Sequence, residues 1–391
     1  MTKSFRTLDD VDVKGKRVLL RVDLNVPMEN GRVSDATRLE RIAPTIAEIS
    51  DKGGKVILLA HFGRPKGRDA KDSLKPVAEA LAKVIKKPVA FAEDCIGEAA
   101  AKAVAAMKDG DILCLENTRF HKEEEKNDPA FVAELAKLGD IWVNDAFSAA
   151  HRAHATTEGL GHKLPAYAGR TMQAELDALG KALEAPTKPV IAIIGGAKVS
   201  TKINLLNNLI TKVDALVIGG AMANTFLRAQ GYPTGRSLVE EGALEAANEV
   251  WKIFGNRLVL PVDLVCAQQV QPGQPTQIFP AHAVDPGWIA LDIGPQSVAL
   301  FAERLRGSGT VVWNGPMGMF EIAEFGAGTR GVGEAIASSG AYTLVGGGDT
   351  AAAIDALGLT GRFSWVSTGG GATLEYLEGR QLPGVAILKE A

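Results

Sequence analysis

The stretch PVIAIIGGAKVSTK, residues 189–202, joins an apolar run rich in β-branched residues to two glycines and two lysines. Such a run bounded by glycine is typical of a buried strand, and the glycines let the backbone turn sharply after it. Lys198 and Lys202 lie four residues apart, which would place them on one face of a helix. This stretch therefore predicts a strand, a basic glycine-rich loop and a helix.

The same succession recurs through most of the chain. Short β-branched runs alternate with stretches rich in Ala, Leu and Lys, and the runs are apolar throughout. Continuously apolar strands separated by helices indicate parallel sheets that are covered on both faces. We therefore predict an α/β fold in which each parallel sheet is flanked by helices.

The length of the chain suggests about two domains, because 391 residues exceed what one ordinary domain holds. The segment TMQAELDALGKALEAPTKP, residues 171–189, has helical spacing and ends in prolines. We interpret residues 171–188 as a linker helix between two similar-sized domains, 1–170 and 189–374. The alternative is an ordinary crossover helix within one domain.

Composition argues against several classes of protein. A net charge of −3 gives no reason to expect binding to nucleic acid or to an anionic membrane. No apolar run reaches the roughly 18 residues that span a bilayer, and the N-terminus lacks the apolar core of a signal peptide. The three cysteines are widely spaced in apolar runs, which is typical of reduced core residues in a cytoplasmic protein.

Basic and polar side chains follow the predicted strands of the first half, in RVDLNVP, AHFGRPKG, LENTRFHKEEE and VNDAFSAAHRAH. Because ligands bind beyond the carboxyl ends of parallel strands, we expect these side chains to share one edge of the sheet. Arginine binds phosphates and carboxylates in a planar fork, so this set predicts a substrate with several negative charges. We call the set the arginine rim, and it comprises Arg21, Arg38, Arg64, Arg119 and Arg152.

Two other features of this half carry weaker signals. His61, His151 and His154 could form a metal site, but carboxylates or cysteines at metal-ligand spacing are missing nearby. The run EEEK around Glu123 is typical of a solvated helix start, and we do not interpret it as a pair of catalytic carboxylates.

Glycine follows the predicted strands of the second half, in IIGGAKVSTK, VIGGAMANT, WNGPMG, VGGGDT and STGGGAT. Bare backbone and helix N-termini bind phosphates, and Lys198 and Lys202 can reach the same polyphosphate. Asp349 offers the hard oxygen that magnesium prefers, and residues 314–321 offer an apolar platform with one carboxylate for a base and a ribose. The sequence thus predicts a nucleotide site. It lacks the GxGxxG fingerprint of a dinucleotide dehydrogenase.

A series of segments, in order and approximate spacing, resembles the phosphoglycerate kinase family. They are RVDLNVP, SDATR, HFGRPKG, ENTRFHKEEEKND, HRAH, GGAKVSTKI, IGGAMANTFL, LPVD, DIGP, NGPMGMFE, GGGDT and STGGGATLE. The resemblance implies two domains separated by a cleft. Residues 1–170 would bind 3-phosphoglycerate, with residues 375–391 returning to them as a strand, and residues 189–374 would bind Mg²⁺ with ADP or ATP.

The activity implied by the resemblance is reversible Mg²⁺-dependent phosphoryl transfer between 1,3-bisphosphoglycerate and ADP on one side and 3-phosphoglycerate and ATP on the other. It belongs to glycolysis and gluconeogenesis, and the resemblance implies a cytoplasmic monomer. The attacking group is a carboxylate that is already ionised at pH 7, so no general base is expected. Arg38, Lys198 and magnesium would neutralise charge in the transfer. The domains are expected to close on both substrates to exclude water.

On the first domain, the resemblance gives each side chain a part in holding 3-phosphoglycerate. Asp23, Asn25 and His61 would orient the glycerate, and Arg38 would reach the carboxylate that is phosphorylated. The 3-phosphate would be bound by Arg64, Arg119 and Arg152, with Arg21 beside them.

On the second domain, the resemblance implies that Lys198 follows the transferring phosphoryl group and that Asp349 holds magnesium. The nucleotide would contact Gly196, Lys202, Gly220, Asn314, Glu321, Gly347, Gly348 and Thr350. Ala221 and Met319 depart from the family pattern near the expected adenine pocket. The alternative to an enzyme is a catalytically silent nucleotide-binding protein of the same fold, which would be expected to have lost Arg38, Lys198 or Asp349.

Overall fold

The computed structural model describes residues 5–390, and these divide into two compact units. The first contains residues 5–176 and 381–390, and the second is Asp177–Arg380. No helix within the described part of the chain is long and apolar enough to cross a membrane.

Strands and helices alternate through most of both units. The strands are β1 (Arg17–Arg21), β2 (Met28–Glu29), β3 (Arg32–Val33), β4 (Lys55–Leu59), β5 (Ala90–Ala92), β6 (Ile112–Leu115), β7 (Ile141–Asn144), β8 (Ala166–Ala168), β9 (Val190–Ile194), β10 (Ala215–Ile218), β11 (Leu258–Val259), β12 (Asp263–Ala267), β13 (Gln277–Pro280), β14 (Ile289–Ile293), β15 (Thr310–Asn314), β16 (Tyr342–Gly346) and β17 (Trp365–Val366). The α-helices are α1 (Thr37–Asp51), α2 (Lys75–Ile85), α3 (Gly97–Ala105), α4 (Pro129–Ala136), α5 (Arg170–Leu183), α6 (Ile203–Leu209), α7 (Met222–Ala229), α8 (Leu244–Phe254), α9 (Pro295–Leu305), α10 (Ala327–Ala337), α11 (Gly348–Ala356), α12 (Gly371–Leu377) and α13 (Pro383–Glu390).

The first unit is built on a six-stranded parallel sheet in the order β5-β6-β4-β1-β7-β8. Successive side chains of a strand point to opposite faces, and in β1 both Leu19 and Leu20 are fully buried. Both faces of this central strand are therefore covered, which is why its sequence is apolar throughout. Since all strands run in one direction, their carboxyl ends meet at one edge of the sheet.

The second unit repeats this architecture with a parallel sheet in the order β11-β10-β9-β15-β16-β17. Ile193, Val217 and Trp313 of its central strands are fully buried in one apolar cluster. The prediction of two parallel sheets flanked by helices is confirmed. The residues that decide it are the continuous β-branched runs, such as 190–194, because only a strand buried on both faces tolerates them.

A small antiparallel sheet in the order β13-β12-β14 also belongs to the second unit, and the sequence analysis did not predict it. Its outer strand β13 is exposed at three of four positions, so it lacks the apolar run that marks the parallel strands. The hairpin of β2 and β3 in the first unit escaped prediction for a similar reason, since each of its strands has two residues.

The chain enters the first unit again as a helix, and the expectation of a returning strand was wrong. Pro383 begins α13, a position where proline's missing N–H costs nothing. The backbone N–H of Gly384 donates to Ala150 O at 2.8 Å, and Asn144 Nδ2 donates to Gly384 O at 3.1 Å. The apolar run in PGVAIL is too short for periodicity to separate helix from strand.

Candidate active site

The arginine rim forms at the carboxyl edge of the first sheet. Arg21 ends β1, His61 follows β4, Arg119 follows β6 and Arg152 follows β7. The charges of Arg119 and Arg152 act on Arg21 and on His61, so these four side chains lie within electrostatic range of one another. Carboxylates offset part of this positive charge, since Glu124 acts on Arg21 and Glu125 lies 3.7 Å from Arg119 Nε. A cluster of cationic side chains of this kind favours binding of an anionic ligand.

Arg38 lies in the first turn of α1 and links to the loop that follows β1. Its Nη1 donates to Asp23 Oδ1 and Oδ2 at 3.2 and 3.1 Å and to Asn25 O at 2.9 Å. Ser148 Oγ donates to Asp23 Oδ2 at 2.6 Å and helps to fix this carboxylate. The Arg38 side chain is 49% exposed, so it is held in place and still open to a ligand.

Two loops of the rim are joined through Gly63. Its N–H donates to Asn25 Oδ1 at 2.9 Å, and its carbonyl accepts from Arg119 Nη1 at 2.8 Å. The Arg119 side chain is only 7% exposed, and burial lowers its pKa, with Arg152 and Arg64 adding to that effect. Asn25 and Arg119 are therefore positioned together although they follow different strands.

Arg21 lies behind the rim rather than on its surface. It is 1% exposed, and its Nε, Nη1 and Nη2 contact Thr156 Oγ1, Val22 O and His61 Nδ1 at 2.8, 2.6 and 2.8 Å. Three of its five N–H groups are used within the protein and the side chain is buried, so Arg21 supports His61 instead of reaching a phosphate directly. The sequence pattern could not separate these roles, because both place an arginine at the end of a strand.

The burial of Glu124 corrects the interpretation of the EEEK run as a solvated helix start. Glu123 and Glu125 are exposed, but Glu124 is 1% exposed. Its Oε1 accepts from Thr156 N at 2.9 Å and from Thr156 Oγ1 at 3.0 Å. Sequence analysis missed Glu124 and Thr156. The only local signal was that Thr156 lies two residues after the HRAH segment.

Arg64 is exposed and lines a separate surface pocket with other basic side chains, Lys66, Arg68 and Lys71. Its charge acts on Arg119, so it lies near the rim without joining the buried set. His154 is near the set as well, and burial followed by the charge of Arg119 lowers its pKa to about 4.

One group of metal-ligand type lies elsewhere in the first unit. Asp94, Cys95 and His121 bring their ligand atoms within 4.8 Å of one another. Arg68 Nη2 donates to Asp94 Oδ2 at 2.7 Å, and His121 Nε2 lies 2.7 Å from Asp94 Oδ1. Both carboxylate oxygens are thus already engaged, and the pKa of the buried Cys95 thiol is raised well above its usual value by burial.

The second unit contains a pocket of about 570 Å³ at the glycine-rich ends of its strands. It brings together several residues that the sequence predicted around a nucleotide, namely Gly196, Gly220, Ala221, Met319, Glu321 and Asp349. Gly220 has φ +66°, and a Cβ there would lie 2.6 Å from Gly196 N. Glycine at 220 is thus required by the close approach of two loops.

The pocket has further walls that sequence analysis missed. They are provided by Arg236, Leu238, Val270 and Asp292. Arg236 Nη2 donates to Gly287 O at 3.1 Å, and Leu238 is 51% exposed. These residues precede and follow β12 and lie outside the glycine motifs, so no local pattern connected them with the pocket.

Asp292 is a buried carboxylate in this wall. Its Oδ2 accepts from Gly328 N at 2.7 Å and its Oδ1 from Ile293 N at 2.8 Å. A Cβ on Gly318 would lie 2.3 Å from Asp292 Oδ1, so the NGPMG turn packs directly on it. Burial raises the pKa of Asp292 to about 7.

Lys198 and Lys202 do not share a helical face, and that prediction was wrong. The helix α6 begins only at Ile203. Thr201 Oγ1 donates to Lys198 O at 2.8 Å, and such local bonds compete with helix formation. Lys198 is exposed, whereas Lys202 Nζ donates to Asn314 Oδ1 at 2.5 Å. Burial lowers the pKa of Lys202, and the charge of Asp349 opposes that shift.

Asn314 and Thr350 tie the glycine loops together. Asn314 Nδ2 donates to Gly346 O at 2.8 Å. Thr350 Oγ1 accepts from Gly315 N at 2.7 Å and donates to Gly346 O at 3.0 Å. Both side chains are 1% exposed. They do not line the pocket, and their bonds give the loops their shape.

Asp349 lies in the first turn of α11, after Gly347 with φ +100°. Its side chain is exposed and faces the same pocket as Glu321 and Gly196. Proteins bind Mg²⁺ through one or two carboxylates together with phosphate oxygens. One exposed carboxylate at a helix N-terminus that can also attract phosphate fits Mg²⁺ bound with a nucleotide.

A cationic rim on one parallel-sheet unit and a glycine-lined pocket with a carboxylate on the other define the class of protein. It is an α/β protein with features suited to binding phosphorylated, anionic ligands. The family model of phosphoglycerate kinase matches residues 8–380.

Individual relatives agree with that match. Phosphoglycerate kinase from Bradyrhizobium diazoefficiens is 66% identical, with 100% of both chains covered, and the enzyme of that name from Rhodopseudomonas palustris is 63% identical over 100% of both. The solved structure of phosphoglycerate kinase from Coxiella burnetii has a TM-score of 0.93 at 43% identity and covers 99% of each chain.

The chain belongs to the phosphoglycerate kinase family. It is accordingly an enzyme, a kinase of glycolysis, and the comparisons do not support the alternative of a catalytically silent protein of this fold.

Proposed function

We propose that this protein transfers a phosphoryl group reversibly between 1,3-bisphosphoglycerate and ADP on one side and 3-phosphoglycerate and ATP on the other, with Mg²⁺. The observation that carries the proposal is the division of chemistry between the units. The first unit presents arginines, with Arg38 half-exposed, and the second presents an apolar pocket edged by Asp349 and Glu321.

The arginine rim suits 3-phosphoglycerate because this substrate has a phosphate at one end and a carboxylate at the other. Arg119 and Arg152, with the exposed Arg64 near them, would bind the phosphate. Arg38 would meet the carboxylate, and Asp23 holds its guanidinium in place. Since the substrate neutralises like charges that are already gathered, part of its binding free energy comes from relieving their repulsion.

The glycine-lined pocket suits a nucleotide. Leu238 and Met319 offer apolar surface for the base, and Glu321 could accept from ribose hydroxyls. Backbone N–H groups around Gly196 and Gly347, together with Lys202, would meet the phosphates. Asp349 would hold Mg²⁺, which when bound neutralises charge on the phosphate oxygens.

Catalysis in this proposal needs no general base, because the attacking carboxylate of 3-phosphoglycerate is ionised at neutral pH. Arg38 orients that carboxylate and stabilises the charge on the transferring group. The exposed Lys198 follows the phosphoryl group from the nucleotide side. Positioning and charge stabilisation of this kind supply most of the rate in phosphoryl transfer.

A coupled assay tests the proposal. ATP consumption should require both 3-phosphoglycerate and Mg²⁺, and it should stop when glycerate without the phosphate replaces the substrate, because the rim loses its main anion. ATP consumption that is independent of 3-phosphoglycerate would contradict the proposed acceptor. We further propose that the protein is cytoplasmic, in keeping with its three free and buried cysteines. We also propose that it is a monomer, which analytical sedimentation can check.

A further inference from the structure

A buried chain of polar contacts runs from Glu124 through Thr156 and Arg21 to His61. All four side chains are at most 7% exposed. Glu124 Oε1 lies 3.0 Å from Thr156 Oγ1, Thr156 Oγ1 lies 2.8 Å from Arg21 Nε, and Arg21 Nη2 lies 2.8 Å from His61 Nδ1. They come from four separate segments of the first unit, so only the fold brings them together.

The donor at each contact follows from chemistry. A guanidinium nitrogen can only donate, so His61 Nδ1 accepts from Arg21 and a neutral His61 carries its proton on Nε2. Thr156 Oγ1 likewise accepts from Arg21, and its own proton is then free to go to Glu124, which as a carboxylate can only accept. The donor and the acceptor at each of the three contacts are therefore fixed.

The far end of the chain of contacts is an unused donor. His61 Nε2 has no hydrogen-bond partner among residues 5–390, whereas Nδ1 is occupied by Arg21. His61 lies two residues after β4, at the edge of the sheet where the rim lies. Its free N–H is thus the group that the chain of contacts leaves for a ligand.

We propose that Glu124 and Thr156 are positioning residues that act through Arg21 to hold His61 in one neutral tautomer, with its Nε2–H as a fixed donor to an oxygen of the anionic substrate. The tautomer follows from the ligand-free structure alone. Only the identity of the accepting oxygen rests on the proposed function.

Glu124 has a specific task here because Arg21 carries a charge in a buried place. Burial lowers the pKa of Arg21, and the negative charge of Glu124 offsets the shift more than any other group. No direct ion pair joins Arg21 and Glu124 in the described part of the chain, and the Thr156 hydroxyl bridges them. Without the carboxylate the hydroxyl could rotate, and Arg21 would lose both its countercharge and its fixed neighbour.

The surroundings also keep His61 neutral. Burial lowers the pKa of His61 far below its usual value, and the charges of Arg21, Arg119, Arg152 and His154 act in the same direction. An ordinary histidine changes charge near pH 6.5. His61 would instead donate from Nε2 over the whole range in which substrate binding matters.

Nitrogen-15 NMR of the full-length ligand-free protein tests the tautomer. The chain has six histidines, and loss of one signal in His61→Gln assigns the ring. We expect a pyridine-type Nδ1 and a pyrrole-type Nε2 with no titration between pH 5 and 8. A proton on Nδ1, a mixture of tautomers, or titration in that range would overturn the proposal.

Variants test the two positioning residues. Thr156→Val and Glu124→Gln should each give a mixture of tautomers, and Thr156→Ser should restore the single form because it keeps the hydroxyl. Glu123→Gln, the exposed neighbour, is the matched control. A single Nε2–H tautomer in both Thr156→Val and Glu124→Gln would show that Arg21 needs neither residue. If Glu124→Gln does not fold, the comparison of Thr156→Val with Thr156→Ser decides whether the hydroxyl fixes the tautomer.

Kinetics then separate this proposal from the proposed function. Thr156→Val should raise KM for 3-phosphoglycerate about tenfold, the size expected for a weakened hydrogen bond to a charged group, and leave KM for ATP unchanged. If the wild type shows no kinase activity, the function fails while the NMR result stands. Equal changes in both KM values would point to general damage and overturn the positioning role.

Discussion

The residues of the arginine rim differ most in how much of each side chain reaches solvent. Arg38 is 49% exposed and has one nitrogen held by Asp23 and Asn25. Arg21 is 1% exposed, and each of its nitrogens has a partner within the protein. Substitution of Arg38 should therefore affect chemistry, whereas substitution of Arg21 should affect the structure around His61.

Arg38→Ala should lower kcat by about 10²–10³, the usual cost of losing one oriented group at the developing charge. The thermal midpoint should stay nearly unchanged, because a half-exposed ion pair contributes at most about 1 kcal/mol. Steady-state kinetics and calorimetry measure both. Arg17→Ala, at the opposite end of β1, is the control and should keep normal kcat. A normal kcat in Arg38→Ala would exclude its catalytic role.

Asp349→Asn should weaken binding of the magnesium nucleotide about tenfold or more, corresponding to about 1.4 kcal/mol, because a neutral amide is a poorer Mg²⁺ ligand. Binding of 3-phosphoglycerate should not change, since its proposed site lies in the other unit. Calorimetric titration of each ligand separately measures this. Asp355→Asn, near the other end of α11, controls for the lost charge. Equal losses for both ligands would contradict two independent sites.

At the scale of elements, the start of α5 depends on a residue far away in sequence. Asp145, just after β7, accepts at Oδ1 from Thr171 N and Met172 N at 2.8 and 3.0 Å. A Cβ on Gly169 would lie 2.3 Å from the same oxygen. The carboxylate therefore caps the helix from outside its own segment, and glycine at 169 makes the approach possible.

This cap predicts a pH dependence of stability. Burial raises the pKa of Asp145 to about 6 from 3.8, although its hydrogen bonds oppose the shift. The folded protein thus holds the proton more tightly than the unfolded chain. The stability that protonation contributes is complete below about pH 4 and is lost as the pH rises through 6.

The amide introduced by Asp145→Asn cannot ionise, so the variant should not lose this stability as the pH rises through 6. The free energy of unfolding of the variant should gain up to roughly 3 kcal/mol relative to the wild type between pH 4 and 7, from about 1.4 kcal/mol for each pKa unit. Urea unfolding at each pH, monitored by hydrogen exchange of residues 5–176, measures this free energy of unfolding. Asp12→Asn, in an exposed turn, controls for the charge. A difference that does not vary with pH would rule out ionisation of Asp145 as its source.

At the scale of the whole molecule, the two proposed ligand sites belong to different compact units. The arginine rim lies before residue 153, and the glycine loops lie after residue 194. Each ligand alone can shift a conformational equilibrium only by its difference in affinity for the two states. Two ligands that both favour one closed state multiply their effects on its population, so their joint effect should exceed the sum of the separate ones.

Domain closure is the expected form of that effect. The radius of gyration should fall more with 3-phosphoglycerate and a magnesium nucleotide together than the sum of the decreases with each alone. Small-angle scattering measures this, and a non-reactive nucleotide analogue keeps the complex intact. An unchanged radius in the ternary complex would contradict closure in response to both ligands. We expect the hinge in or beside residues 171–189.

The parallel sheets and the two kinds of strand end could be predicted from the sequence because both are local properties. Runs such as 190–194 are apolar at every position, and such a run is typical of a strand that is covered on both faces. The glycines and arginines follow those runs directly, so their places at the carboxyl edge followed from the fold class. The family resemblance rested on the same contiguous segments.

Only the tertiary structure decided which of these side chains are buried and what they contact. The sequence predicts Arg21 on the ligand-binding rim and Glu124 in a solvated run, yet both are 1% exposed. Their partners Thr156 and His61 come from other segments. Lys202 lies before α6, which begins at Ile203, and its side chain donates to Asn314 at the end of β15. Burial and hydrogen bonding depend on partners distant in the chain, and a pattern of neighbouring residues contains no information about them.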